Sequence, residues 1–202
     1  MSMLNAVKLI GVVGAGQMGN GIAQVAATSG FKIVMLDVSE KSLEKGLTTI
    51  KTSTEKLLKK NLLTEDERTQ ILNRIQTTTK YEDLKECDVV VEAATENIDL
   101  KLKIFTELDK TVKKSAYLFS NTSSISITKI ASVTQRPGMV AGMHFMNPVP
   151  VMKLVEVIRG YDTSDKVTAD IMALSKTLGK IPVEVNDYPG FVANRILMPM
   201  IN

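Results

Sequence analysis

The sequence predicts an α/β protein built on a doubly wound, mostly parallel sheet with helices on both faces. Three observations predict it. Short apolar runs alternate with helical patterns along the whole chain, which is how βαβ units read. The run DVVVEA at 88–93 is continuously apolar at its centre, as a strand covered on both faces requires. A glycine-rich turn, GAGQMG at 14–19, joins the first run to the first helical pattern.

The elements follow in order. Strands are expected at 8–13, 32–37, 88–93, 116–120 and 139–144, with two more at 153–159 and 181–185. Helices are expected at 16–29 and 40–60, the second rich in charge. TEDE at 64–67 is a capping box that starts another short helix. Ile98, Leu102, Phe105, Leu108 and Val112 place an apolar stripe on the helix after the third expected strand. Ser164 caps a helix with Val167, Ile171, Leu174 and Leu178 on one face, and Gly179 stops it. Tyr188, Pro189 and Gly190 then punctuate the chain, and 191–202 reads as a new helix interrupted by Pro199. No internal repeat or low-complexity tract breaks this pattern.

Composition narrows the function. The chain has 202 residues, 44% of them apolar, enough for a substantial core. A net charge of +3 and the absence of Trp argue against nucleic acid as a partner. The single cysteine, Cys87, makes no internal disulfide, so a reducing, cytoplasmic home is expected. No secretory leader or membrane-spanning window is seen, and no metal site is expected.

The glycine turn carries the first chemistry. In G-x-G-x-x-G, Gly14 permits the tight turn, Gly16 lets a pyrophosphate approach the backbone, and Gly19 lets helix and strand pack closely. Gln17 and Met18 fill the remaining positions beside the anion at the helix N-terminus. Asp37 closes the second strand at the spacing of an acid that holds the adenosine ribose, which favours NAD over NADP. The expected fold is therefore of the Rossmann type with NAD as cofactor.

NAD binding alone defines no reaction. SNTSS at 120–124 and HFMNP at 144–148 follow the fourth and fifth expected strands, whose carboxyl ends face the ligand crevice. His144 is the only histidine. Alone it could be a catalytic base or merely a polar residue at a strand end. Ser123 could shape a helix-start turn, Glu156 could pair with a lysine, and Asn194 could cap the last helix.

GAGQMGNGIAQ, VEAATEN, SNTSSISIT, MHFMNPVPVMKLVEV and PGFVANRILMPMIN occur in this order. Together they resemble the L-3-hydroxyacyl-CoA dehydrogenase family, in its short-chain bacterial type, from near residue 7 to the last residue. The resemblance implies interconversion of L-3-hydroxyacyl-CoA and 3-ketoacyl-CoA, such as acetoacetyl-CoA, in fatty acid or butanoate metabolism. It makes His144 the general base, Glu156 its orienting carboxylate, and Ser123 and Asn194 the groups that hold the reacting oxygen. It adds Glu96, Lys101 and Asn121 near the ribose and nicotinamide, with Ala94 as a backbone contact. Lys56, on a lysine-rich helix, becomes a candidate for the coenzyme A phosphates; the alternative is a solvated charged face.

Departures from the family pattern also matter. Met146 stands where a second Phe is usual, and Thr95 replaces an aliphatic residue. The resemblance implies an NAD-binding domain over 1–187 and, from 188 to 202, the opening of a helical second domain. The chain stops inside that helix, so the cleft is expected to lack one wall. The apolar stretch 191–202 is then expected to seek a partner, within a homo-oligomer. The rival expectation is an NAD-binding module without turnover of its own.

Overall fold

The computed structural model describes residues 7–201. Eight strands form one sheet in the order β3-β2-β1-β4-β5-β6-β7-β8. They are β1 (Leu9–Val13), β2 (Lys32–Leu36), β3 (Ile75–Thr78), β4 (Val89–Glu92), β5 (Tyr117–Ser120), β6 (Val140–Phe145), β7 (Leu154–Arg159) and β8 (Ile181–Asn186). Neighbours pair in parallel except β6 with β7, which are antiparallel.

The helices are α1 (Gln17–Thr28), α2 (Glu40–Lys59), α3 (Glu65–Asn73), α4 (Ile98–Thr111), α5 (Ile127–Ala131), α6 (Asp165–Thr177) and α7 (Ala193–Ile201). Successive strand side chains point to opposite faces, and the core divides accordingly. Ile10, Val12, Ile33, Met35, Val89 and Val91 pack with residues of α1, α2, α3 and α6. Val13, Val34, Leu36, Val90 and Leu118 pack with residues of α4 and α5. Both faces are therefore covered, as the apolar runs predict.

Every expected strand forms, within a residue or two at each end. The Thr64–Glu67 capping box is present with both reciprocal hydrogen bonds, and Ser164 caps α6 through the Val167 amide. Two elements were not foreseen. β3 is only IQTT, three of its four residues polar, and lies at the sheet edge, so no apolar run marks it. α5 is five residues long, too short for a periodicity to show. The expected helix at 191–202 starts at Ala193 and runs through Pro199; Asn202 lies outside the described residues.

Strand order reverses between β1 and β4. At such a switch point the loops leave in opposite directions and open a crevice at the strands' carboxyl ends.

Candidate active site

The glycine loop between β1 and α1 has the backbone its motif predicts. Gly14 sits at φ +100°, and a Cβ there would lie 2.7 Å from the Ala93 carbonyl oxygen. A Cβ on Gly19 would fall 1.8 Å from the Gly14 carbonyl oxygen. Gly16 is the reverse case: a Cβ there would meet nothing within 4 Å. It is the N-cap of α1, with no side-chain cap and no acid in the first turn. The start of α1 thus faces a groove lined by Gly14, Gly16, Gln17, Asp37, Ser42 and Ala94. Amides at a helix start favour an anion there.

Asp37 follows β2 at the rim of this groove. Its carboxylate accepts the Ala15 amide at 2.9 Å and the Ser39 amide at 3.1 Å. The acid is therefore fixed beside the glycine loop. The open Gly16 position, the unblocked helix start and the fixed acid together fit a dinucleotide.

The groove leads past Ala94 to a cleft of about 390 Å³ that gathers most of the remaining candidates. Met18, Glu96, Lys101, Asn121, Ser123, His144 and Asn194 line it. His144 and Glu156 stand directly opposite each other in the antiparallel β6–β7 pair, where cross-strand side chains are close neighbours. His144 Nδ1 lies 2.8 Å from Glu156 Oε2, and Nε2 lies 3.1 Å from Ser123 Oγ. A carboxylate accepts only, so it fixes the ring proton on Nδ1 and leaves Nε2 as acceptor toward the cleft.

Glu156 does a second job. Its Oε1 accepts the Val192 amide at 3.0 Å and the Ala193 amide at 2.7 Å, at the start of α7. Burial alone would raise this carboxyl, but the bonds from His144, Ala193 and Val192 outweigh it and the net shift is downward. Asn194, in the first turn of α7, donates from Nδ2 to the Ser123 carbonyl at 3.1 Å. The four expected site residues thus form a chain of contacts, which the Ala193 amide on Glu156 closes into a ring through the backbone of α7. Phe191 completes the surround, buried with its ring centroid 5.9 Å from that of His144.

The loop carrying Ser123 is held from below. Glu96 accepts the Thr122 hydroxyl at 2.8 Å and the Ser123 amide at 3.2 Å. Asn121 Oδ1 accepts the Phe145 amide at 2.9 Å, tying this loop to the end of β6. Lys101 lines the cleft, but its ammonium is engaged by Glu92 at 2.5 Å, and both side chains are buried. Glu92 also accepts the Ser120 hydroxyl at 2.8 Å and the Ala94 amide at 2.9 Å. Lys56 lies apart, exposed on α2, in a shallow groove with Lys45, Thr48, Thr49, Thr52 and Ser53. Lys45 and Thr49 also line the glycine-loop groove, so the two grooves adjoin.

Sequence reasoning missed Glu92, Thr122 and Phe191. Glu92 had a signal, an acid closing an otherwise apolar strand; Thr122 and Phe191 act through contacts that no spacing reveals. Among the described residues no acid, His or Cys cluster could hold a metal ion, and no helix is long and apolar enough to cross a membrane.

Known proteins share this arrangement of sequence and fold. The family described as 3-hydroxyacyl-CoA dehydrogenase, NAD binding domain, matches residues 9–188. A probable 3-hydroxybutyryl-CoA dehydrogenase of Bacillus subtilis is 51% identical over 97% of the chain and 68% of its own length. The 3-hydroxybutyryl-CoA dehydrogenase of Bradyrhizobium diazoefficiens is 47% identical over 99% of the chain and 68% of its own length. The crystal structure of an (S)-3-hydroxybutyryl-CoA dehydrogenase from Ralstonia eutropha superposes with a TM-score of 0.95 at 54% identity. That match covers 97% of this chain and 69% of the other.

Proposed function

The chain belongs to the 3-hydroxyacyl-CoA dehydrogenase family, and from that premise we propose that it interconverts a short-chain L-3-hydroxyacyl-CoA and its 3-keto form. The observation that carries this reading is the chain of bonds joining Glu156, His144, Ser123 and Asn194, beside a cleft that adjoins the glycine-loop groove at Ala94. The coarse chemistry, NAD-dependent oxidoreduction, follows from the family.

A bound nicotinamide cofactor would supply the hydride acceptor for C3 in oxidation and, in its reduced form, the hydride donor in reduction. His144 Nε2 takes the C3 hydroxyl proton in oxidation and returns it to the oxygen in reduction. An imidazole suits this task because its ordinary pKa lies near neutrality. Glu156 holds the ring in the tautomer that leaves Nε2 free to accept, and its charge favours the imidazolium that forms. Ser123 Oγ and Asn194 Nδ2 donate to the oxygen and stabilise the alkoxide-like charge it develops. Glu96, Asn121 and Ala94 border the ribose and nicotinamide, while Lys101 supports that wall through Glu92. Gly16 and Gln17 at the open start of α1 would hold the pyrophosphate, with Gly14 and Gly19 providing the turn and the close packing that the approach needs; Met18 would border the cofactor from the cleft, and Asp37 would hold the adenosine ribose. Lys56, exposed on α2, would be the group for the coenzyme A phosphates.

The NAD-binding unit ends at 187, and 188–202 opens a helical unit; the family match ending at residue 188 supports this boundary. Homo-oligomerisation through the 191–202 stretch, and a cytoplasmic home, remain part of the same proposal. A second reading, a nucleotide-binding module without turnover, draws on the exposure of Ile196, Leu197, Met198, Met200 and Ile201 in α7. NADH oxidation with acetoacetyl-CoA, run beside an NADH titration, separates the two. Turnover supports the dehydrogenase, and binding without oxidation supports the module.

A further inference from the structure

Lys180 is a buried lysine that the proposed chemistry does not use. Its placement follows from the local sequence. α6 ends at Thr177, and Gly179 adopts φ +72°. The amides of Gly179 and Lys180 then donate to the Lys176 and Ser175 carbonyls, each at 2.9 Å. This pairing reverses the chain after the helix and leaves Lys180 only 8% exposed, just ahead of β8.

Inside, no carboxylate of the described residues pairs with the ammonium. Nζ donates instead to the Val149 carbonyl at 2.5 Å and the Met152 carbonyl at 2.8 Å. Burial lowers the lysine's pKa. An ammonium held on two carbonyls away from water is a costly arrangement, so what those carbonyls belong to is informative.

Both belong to the connection from β6 to β7, the segment that links the strand of His144 to the strand of Glu156. Met146 and Asn147, at its start, line the catalytic cleft. On its other side Val149 presses against α1, where a Cβ on Gly21 would lie 2.8 Å from Val149 Cβ. The connection is therefore fixed between the cofactor-binding helix and the Lys180 ammonium.

We propose that Lys180 is a positioning residue, whose ammonium holds the 146–152 connection as the cleft wall against which the nicotinamide end of the cofactor packs. Its turnover arm rests on the dehydrogenase reading; its binding arm rests on NADH alone.

The test compares Lys180→Met, Lys180→Arg and the exposed-site control Lys176→Met, each assayed well below its own melting temperature. NADH affinity is read by fluorescence titration, and kcat and KM with acetoacetyl-CoA as substrate. Lys180→Met is expected to raise the NADH Kd about tenfold and to lower kcat, Lys180→Arg to recover part of both, and Lys176→Met to change neither. A Lys180→Met protein that melts earlier yet binds NADH within about twofold of the parent overturns the proposal. Should Lys180→Met fail to fold, Gly21→Ala presses on the same connection from α1. Weaker NADH binding there supports the proposal, and unchanged binding overturns it. Weakened NADH binding in a protein whose parent never oxidises NADH with acetoacetyl-CoA upholds the positioning role and sinks the dehydrogenase reading.

Discussion

Replacing Glu156 with Gln exchanges one oxygen for an NH₂ and keeps the side chain's shape. Three donors converge on the native carboxylate: His144 Nδ1–H on one oxygen, and the Val192 and Ala193 amides on the other. Gln offers one acceptor and one donor group. Turning its NH₂ toward the amides sets donor against donor and strands two N–H groups at the start of α7, at about 1–3 kcal/mol each. The alternative turns the NH₂ toward Nδ1, which must then give up its proton. The ring proton moves to Nε2, and the base can no longer accept.

The corresponding tautomer error in a Ser-His-Asp triad costs about 10⁴ in kcat, or roughly 5.5 kcal/mol. Glu156→Gln is therefore expected to lower kcat for 3-hydroxybutyryl-CoA oxidation about 10³–10⁴-fold with little change in KM. His144 is the only histidine, so one imidazole signal set in a ¹⁵N NMR spectrum reports the tautomer directly. The parent should show the proton on Nδ1 and the variant on Nε2. A variant that keeps kcat within about tenfold of the parent rules out a tautomer-setting role for Glu156, as does a parent with its ring proton on Nε2.

Three further outcomes follow from the same geometry. Asp37→Asn removes the charge fixed beside the glycine loop, so NAD should bind about tenfold more weakly and discrimination against NADP should narrow, read by parallel titrations. Lys101→Met leaves Glu92 buried without its counter-charge and should cost about 3–5 kcal/mol in urea denaturation, part of it recovered by adding Glu92→Gln. Asp88 and Glu156 both have lowered carboxyl pKa values in the fold. Burial opposes the shift in each, while Lys113 with the Lys8 and Leu9 amides, and His144 with the Ala193 and Val192 amides, outweigh it. The unfolded chain then binds more protons than the fold, so this stability is present above the ordinary carboxylate range and is lost as pH falls through the lowered values. Urea melts at neutral pH and below about pH 4 should show the loss, and Asp88→Asn should flatten it.

The sheet was legible because burial on both faces writes a strand as an apolar run, as in DVVVEA. β3 was not, because an edge strand of four residues, three of them polar, carries no such run. The glycine loop was legible from local rules alone, since each glycine answers a steric demand within a few residues or across one strand. The His144–Glu156 pairing was legible from Glu156's place between Val155 and Val157, where a carboxylate needs a partner and a histidine ring N–H suits it, and the family resemblance gave it a role. The contact itself depends on an antiparallel register that the sequence does not state. Lys101 shows the limit most clearly. Its place on the cleft wall was foreseen, but its burial against Glu92, nine residues earlier, needs the β4–α4 packing to be seen. Glu156 shows another: an oxygen that caps α7 has its partners 36 and 37 residues away.

The ring of contacts also places catalysis and architecture in the same atoms. Glu156 holds both the His144 tautomer and the start of α7, and α7 in turn holds Asn194 against the Ser123 loop. Loss of any member is therefore expected to disturb its neighbours' positions as well as its own contribution.

In the proposed reaction His144 Nε2 moves the substrate proton, in a site that binds NAD independently of it. The direct measurement is His144→Ala, assayed for NADH affinity and for acetoacetyl-CoA-dependent NADH oxidation in the same preparation. The variant is expected to keep an NADH Kd within about twofold of the parent and to lose about 10²–10⁴-fold in kcat. Turnover near the parent's rate, or NADH affinity lost along with turnover, would contradict that assignment.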